Sequence, residues 1–498
     1  MRYLTRLITT LCLFFAHSLS VHASSEFTTD FHSIYSVQES GKTKVLHSIA
    51  ITNNLAHIYT TEYTVSLGSG EIHDIEVTDG SAELPTTIDA EGNATTIKVA
   101  LANPQVGQGK VNIIKISYTT SEIATRIGGN WEVNIPRVAH ANEYREYRRD
   151  VEVPRGIGSA TYVFPDPTHV EKGDITTYTY LGHPTDSLSL LFGESQTYEL
   201  ELRYTIQNPG LTQADTEIAL PPDTEYQKVI LREMIPEPKQ INLDPDGNWM
   251  AVYLLKSQET KDIAVKMYVT VYPIPRNDTP LHSSPSLDSD PNWQIQDSRV
   301  KDLSVQLGEV SRIYEYLVDN FFYDYARIGQ ARLGASSALT SPESATCTEF
   351  TDSFVALSRS LGNRAREING YAYGSNTTVR PQGEDILHAW PQYFDENKKQ
   401  WIQVDPTWGN TTGGINYFDK LDYSHIAFVI HGVESTYPLP AGAYKRSNEG
   451  SVIKVTPVEK VPDVTPHPLS PTVKVGGGVE SPPVSLWDRV LAFIRSLF

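Results

Sequence analysis

A chain of 498 residues exceeds what one hydrophobic core can fill, so about three domains are expected. Hydrophobic content of 39% and aromatic content of 10%, with 27 Tyr, suit ordered globular domains. A formal net charge of −19 lacks the basic footprint of a nucleic-acid binder and excludes that class.

Residues 1–23 read as a secretory signal peptide. Arg2 and Arg6 precede the apolar run Leu7–Ala16, and Val21-His22-Ala23 offers a small-residue cleavage site. The run is too short for a spanning helix. Its removal takes away two arginines, moving the charge from −19 to −21, and also takes Cys12. Cys347 is then the only cysteine, no intrachain disulfide is expected, and a lone thiol kept in an oxidising compartment points to chemistry.

From about residue 25 to 275 the apolar period is two. Ile72-Ile75-Val77, Ile97-Val99-Leu101 and Ile114-Ile116-Tyr118 lie between turn clusters, as in a β-sandwich. Tyr198-Leu200-Leu202-Tyr204-Ile206 and Ile263-Val265-Met267-Val269-Val271 alternate without a break. Two all-β domains are expected, 24–125 and 126–275, with Asp244-Pro245-Asp246-Gly247 a plain β-turn. The Glu143–Arg149 charge run reads as a solvated face. Nothing in these domains looks catalytic, and a linker over 276–296 implies few contacts across the boundary, so thiol chemistry should survive their removal.

The third domain is placed at 297–432 and opens on a helix with Leu303, Leu307, Val310, Ile313 or Tyr314, and Leu317 on one side. Further on, Phe354, Leu357 and Leu361 follow Phe350 at steps of four, three and four, a second amphipathic helix stopped by Gly362. Thr346 with Glu349 three residues later forms a capping box, so Cys347 is the first helical residue. Helix-end N–H groups and the helix dipole favour a nucleophilic thiolate there. Leu387–Phe394 and Gln400–Asp405 read as a hairpin around the turn Asp395–Lys398. Pairing Phe394 with Lys399 sets His388 opposite Asp405 on one face, where a carboxylate can hold an imidazole. A nucleophile, a base and an orienting carboxylate are thereby supplied.

Three motifs carry a resemblance over about residues 300–432: Cys347 opening its helix, Leu-His388-Ala-Trp390, and Val-Asp405-Pro-Thr-Trp408. Asn320-Phe321-Phe322-Tyr323 and the segment from Arg364 to Tyr371 support them. With these motifs the chain resembles the transglutaminase-like superfamily, whose fold is a permuted relative of the papain core. It departs from that pattern at Thr346, where many members carry a small residue. The resemblance implies an α+β domain behind the β-sandwiches, catalytic roles for Cys347, His388 and Asp405, and no cofactor or metal. Trp390 and Trp408 flank the triad residues and would line the substrate path, with structural packing the expected role of at least one of them.

Residues 433–484 turn to Pro, Val and Gly and read as a tether. Residues 485–498 put Trp487, Val490, Leu491, Ile494, Leu497 and Phe498 on one helical face, fit for peripheral membrane contact or for docking on protein. The expectation is an exported acyl-transfer enzyme of the cell envelope or exterior, acting on protein or peptide carboxamides as transglutaminase, protease or amidase. The competing expectation is an envelope-surface binding or scaffold protein with β-sandwich arms and a vestigial Cys domain.

Overall fold

The computed structural model describes residues 26–471 except 68–70, 92–93, 138–142, 183–186, 278–286, 374–386, 445–451, 460, 462 and 464. The expected leader and C-terminal helix lie outside the described residues.

Phe27–Val37 and Thr43–Asn53 form the hairpin on which the first domain is built, with Phe31, Tyr35, Val45 and Ile49 turned inward at the period of a strand. Their sheet has seven strands and includes Tyr144–Pro154, which runs parallel to Phe27–Val37, and Ile175–Leu181. A four-stranded sheet of Tyr162–Phe164, Leu188–Phe192, Asn130–Ile135 and Ala124–Ile127 shares its core, through Val133, Leu188 and Leu190. The first sandwich therefore runs to Phe192, and the expected boundary near 125 is wrong. Alternation reports which face of a strand is buried but not which strand it pairs with. The Glu143–Arg149 run has the expected solvated face in Glu143, Arg145, Glu146 and Arg148. It lies in a central strand of that sheet, where Tyr147 and Arg149 are buried and the guanidinium lies over the Tyr147 and Tyr180 rings.

In the second sandwich the two alternating strands, Gln196–Gln207 and Thr260–Val271, pair along their whole length, and all ten apolar positions read from them are buried. Asp244–Gly247 is a turn, between Gln240–Leu243 and Trp249–Leu255. On its other side Gln196–Gln207 pairs with Ile453–Val458, so this part of the expected tether is a strand of the second sandwich.

The third domain contains the helices and a four-stranded antiparallel sheet, ordered Gln400–Gln403, His388–Asp395, Ala365–Ala372, His425–His431. The single helix expected at its start is two, Ser298–Leu307 and Val310–Asn320, because Gly308 takes a left-handed φ of 79° and caps the first. The expected linker ends in core: Trp293 is fully buried beneath the Arg359 guanidinium, 4.3 Å from the ring centroid.

Few contacts were expected across the domain boundary, and here the departure is largest. His425–His431 is an edge strand, and the second sandwich closes that edge. Gln227 Nε2 donates to the Ala427 carbonyl and its Oε1 accepts the Ala427 N–H, both at 2.9 Å. Asn248 serves Ile430 in the same way at 2.8 and 2.7 Å. Side-chain amides thus satisfy backbone groups that a free edge would leave to water. Tyr371, Tyr423, Ile426 and Phe428 join the sandwich core.

Candidate active site

Cys347 is the first residue of the helix Cys347–Ser360, and the capping box is formed. Thr346 N–H donates to Glu349 Oε2 at 2.9 Å and its hydroxyl to the same oxygen at 2.6 Å. Glu349, itself buried, also accepts the Leu333 N–H, which ties the helix start to the preceding loop. The thiol is partly exposed. His388 opens its strand, near enough to Cys347 for that side chain to help raise its pKa. Its Nε2–H donates to Asp405 Oδ2 at 2.7 Å.

Sequence pattern paired His388 with Asp405, by a partly mistaken route. Asp395 Oδ1 accepts the N–H groups of Asn397 and Lys398, fixing the turn one residue later than expected, at 396–399. Asp395 then pairs with Gln400, and the register that set His388 opposite Asp405 does not occur. The strand ends at Gln403, and Asp405 is instead the N-cap of the helix Pro406–Thr411, its Oδ1 accepting the Trp408 N–H at 2.9 Å. That bond fixes the carboxylate and leaves Oδ2 for the imidazole.

The two tryptophans divide. Trp390 is wholly buried, stacks on His388 at a centroid distance of 5.5 Å, and donates Nε1–H to Gln403 Oε1. It supports the ring from behind, the packing role expected of at least one of the pair. Trp408 is partly exposed, 5.8 Å from the His388 ring.

His425, which the sequence reading passed over, completes the site. Its Nε2–H donates to Asp405 Oδ2 at 2.9 Å and its Nδ1–H to Asp422 Oδ1 at 2.7 Å. A signal was present: a histidine opening a strand that is apolar up to its closing His431, three residues after an aspartate. Burial alone would push both imidazoles down. Asp405, with Cys347, carries His388 up to about 10, and Asp422, with Asp405, carries His425 up to about 9. Against its own burial, Asp405 is held well below the usual carboxylate range by His388 and His425.

His388, Asp405 and His425 offer three atoms within 4.8 Å of one another, a grouping that suits a metal ion. Spacing argues against that use. A tetrahedral ion with bonds of about 2.1 Å holds its ligand atoms roughly 3.4 Å apart. The observed 2.7 and 2.9 Å are hydrogen bonds to one shared oxygen.

Residues 295–406, which contain Cys347, His388 and Asp405, match the family model of the transglutaminase-like superfamily. That segment is a transglutaminase-like domain. His425 and Asp422 lie beyond the matched residues. No curated protein sequence matches the chain. Among solved structures, a candidate cysteine protease from Cytophaga hutchinsonii is 15% identical, covering 55% of this chain and 94% of its own, with a TM-score of 0.34. The periplasmic domain of TgpA from Pseudomonas aeruginosa, bound to ethylmercury, is 13% identical over 43% and 91%, at 0.24. A candidate protease from Parabacteroides distasonis is 11% identical over 81% and 73%, also at 0.24. Scores this low carry no argument about the present chain. The transglutaminase-like domain is recognised from its family match and its site.

Proposed function

We propose that the protein is an exported, cysteine-dependent acyl-transfer enzyme acting on protein or peptide carboxamides through a thioester. The observation that carries this reading is the His388 imidazole bonded to Asp405 close to Cys347, which opens a helix. Cys347 thiolate attacks the carboxamide carbon, the tetrahedral intermediate collapses, and His388 gives its proton to the departing amine. A lysine amine or water then attacks the thioester, losing a proton to His388 as the thiolate leaves. Asp405 keeps the ring oriented and stabilises its charged form. Export is supported by the leader-like segment 1–23.

The test is covalent trapping. At pH 7 a glutamine-like electrophile should label Cys347 in the intact chain and leave a folded Cys347→Ala variant unlabelled. An unlabelled, folded wild-type chain would overturn the proposal and favour a binding role.

A further inference from the structure

The acyl-transfer cycle gives His425 no task, yet it is bonded to the same Asp405 oxygen as His388, at 2.9 Å against 2.7 Å. Both of its ring nitrogens face carboxylate oxygens at hydrogen-bond distance, and an ionised carboxylate can only accept. A neutral imidazole donates once, so two such bonds describe a doubly protonated ring. The ring is buried, packed against Trp408 at 4.6 Å and Trp390 at 4.9 Å, so this cation is shielded from water.

The titratable groups around it are Asp405, His388, Asp422 and Tyr417, with Lys420 and Glu132 behind Asp422. Glu132 comes from the first sandwich and accepts the Tyr423 N–H at 2.8 Å. Asn134, two residues on in the same strand, meets Lys420. From Cys347 the charges alternate through His388, Asp405, His425, Asp422 and Lys420 to Glu132. Glu132 is raised to about 7, chiefly by burial and by Asp422.

We infer that His425 is a positioning residue of this site, a fixed buried cation that pins the Asp405 carboxylate on His388 and takes a share of its negative charge. The inference rests on the acyl-transfer reading. Three donors hold Asp405: Trp408 N–H on Oδ1 and both imidazoles on Oδ2. Without the second cation, Asp405 would bind the His388 proton more strongly, and His388 would stay an acid to higher pH.

The experiment alkylates Cys347 in the intact chain with iodoacetate and with iodoacetamide across pH 5–11. Anionic iodoacetate is drawn by the His388 imidazolium, so its advantage over the neutral reagent disappears as that ring loses its proton. In His425→Gln, which keeps a donor but no charge, the midpoint of that loss should move up by about one pH unit. Nitrogen NMR of the wild-type chain should show both His425 ring nitrogens protonated at pH 7.5. A neutral His425 at that pH, or an unchanged midpoint in a folded His425→Gln chain, overturns the inference. Should the variant not fold, the wild-type spectrum decides. Failure of the acyl-transfer reading looks different: Cys347 would alkylate with no preference for iodoacetate at any pH.

Discussion

Two buried histidine clusters, one in the first sandwich and one in the transglutaminase-like domain, differ in a single respect. His47 lies between Ser33 Oγ at 2.9 Å and Tyr118 Oη at 3.2 Å, is 4% exposed, and is lowered by burial to about 4. His388 and His425 are as buried, yet they are raised to about 10 and about 9. Hydroxyl partners accept a neutral ring and do nothing to hold a cation, whereas carboxylate partners do. Burial and hydrogen bonding alone therefore do not decide whether a buried ring carries a charge. The charge on the partner does.

The strongest way to break the contrast is Asp405→Asn, which gives His388 the kind of neutral partner His47 has. Its imidazole should then fall below the ordinary value, and Cys347 alkylation at pH 7 should slow by up to about 10⁴-fold, the loss in turnover known for an orienting aspartate replaced by asparagine. A loss under about threefold would mean that Asp405 is only a helix cap.

Equilibrium unfolding against pH should sharpen the contrast, since the clusters act with opposite sign. His388 and His425 hold protons that the unfolded chain releases near pH 6.5. Their contribution is present below that pH and is lost as pH rises through about 9 to 10. For His425 alone this is about 3 kcal/mol, and His425→Gln should flatten that alkaline decline. His47 is neutral when folded, so the unfolded chain binds the proton first and stability falls by about 3 kcal/mol as pH drops from about 6.5 to about 4. His47→Gln should flatten this acid limb and leave the alkaline one.

A gentler test moves the carboxylate. Ser33→Asp should raise the His47 midpoint, read by NMR, at a stability cost of about 1–3 kcal/mol for the buried charge. It should leave Cys347 alkylation unchanged. The smallest expected effect is none: a chelator should not alter the alkylation rate, and a chelator-dependent loss would return the His388–Asp405–His425 group to the metal reading.

Local signals were legible. The capping box, the apolar stripe behind Cys347 and the unbroken alternation at 196–207 and 260–271 each depend on residues close in sequence. His388 and Asp405 were found through their motifs, although Asp405 followed by Pro406 is a helix-start signal that the hairpin reading overlooked. What the sequence hid depends on residues far apart. Arg149 looks solvated until the strands that flank it are known. His425 looks like a strand residue until Asp405, 20 positions away, is placed on it. Gln227 and Asn248 carry no mark of the edge strand they close.

The strand Ile453–Val458 also bears on how the chain is made. It lies on one side of Gln196–Gln207 and Thr260–Val271 on the other, so the whole transglutaminase-like domain is an insertion between two neighbours of one strand. During synthesis or translocation the edge from Thr197 to Leu202 stays open until the chain has emerged past Val458. An exposed, strongly alternating edge invites pairing with another chain. A product truncated just after His431 would keep Cys347, His388, Asp405 and His425 and still be the form most prone to aggregate.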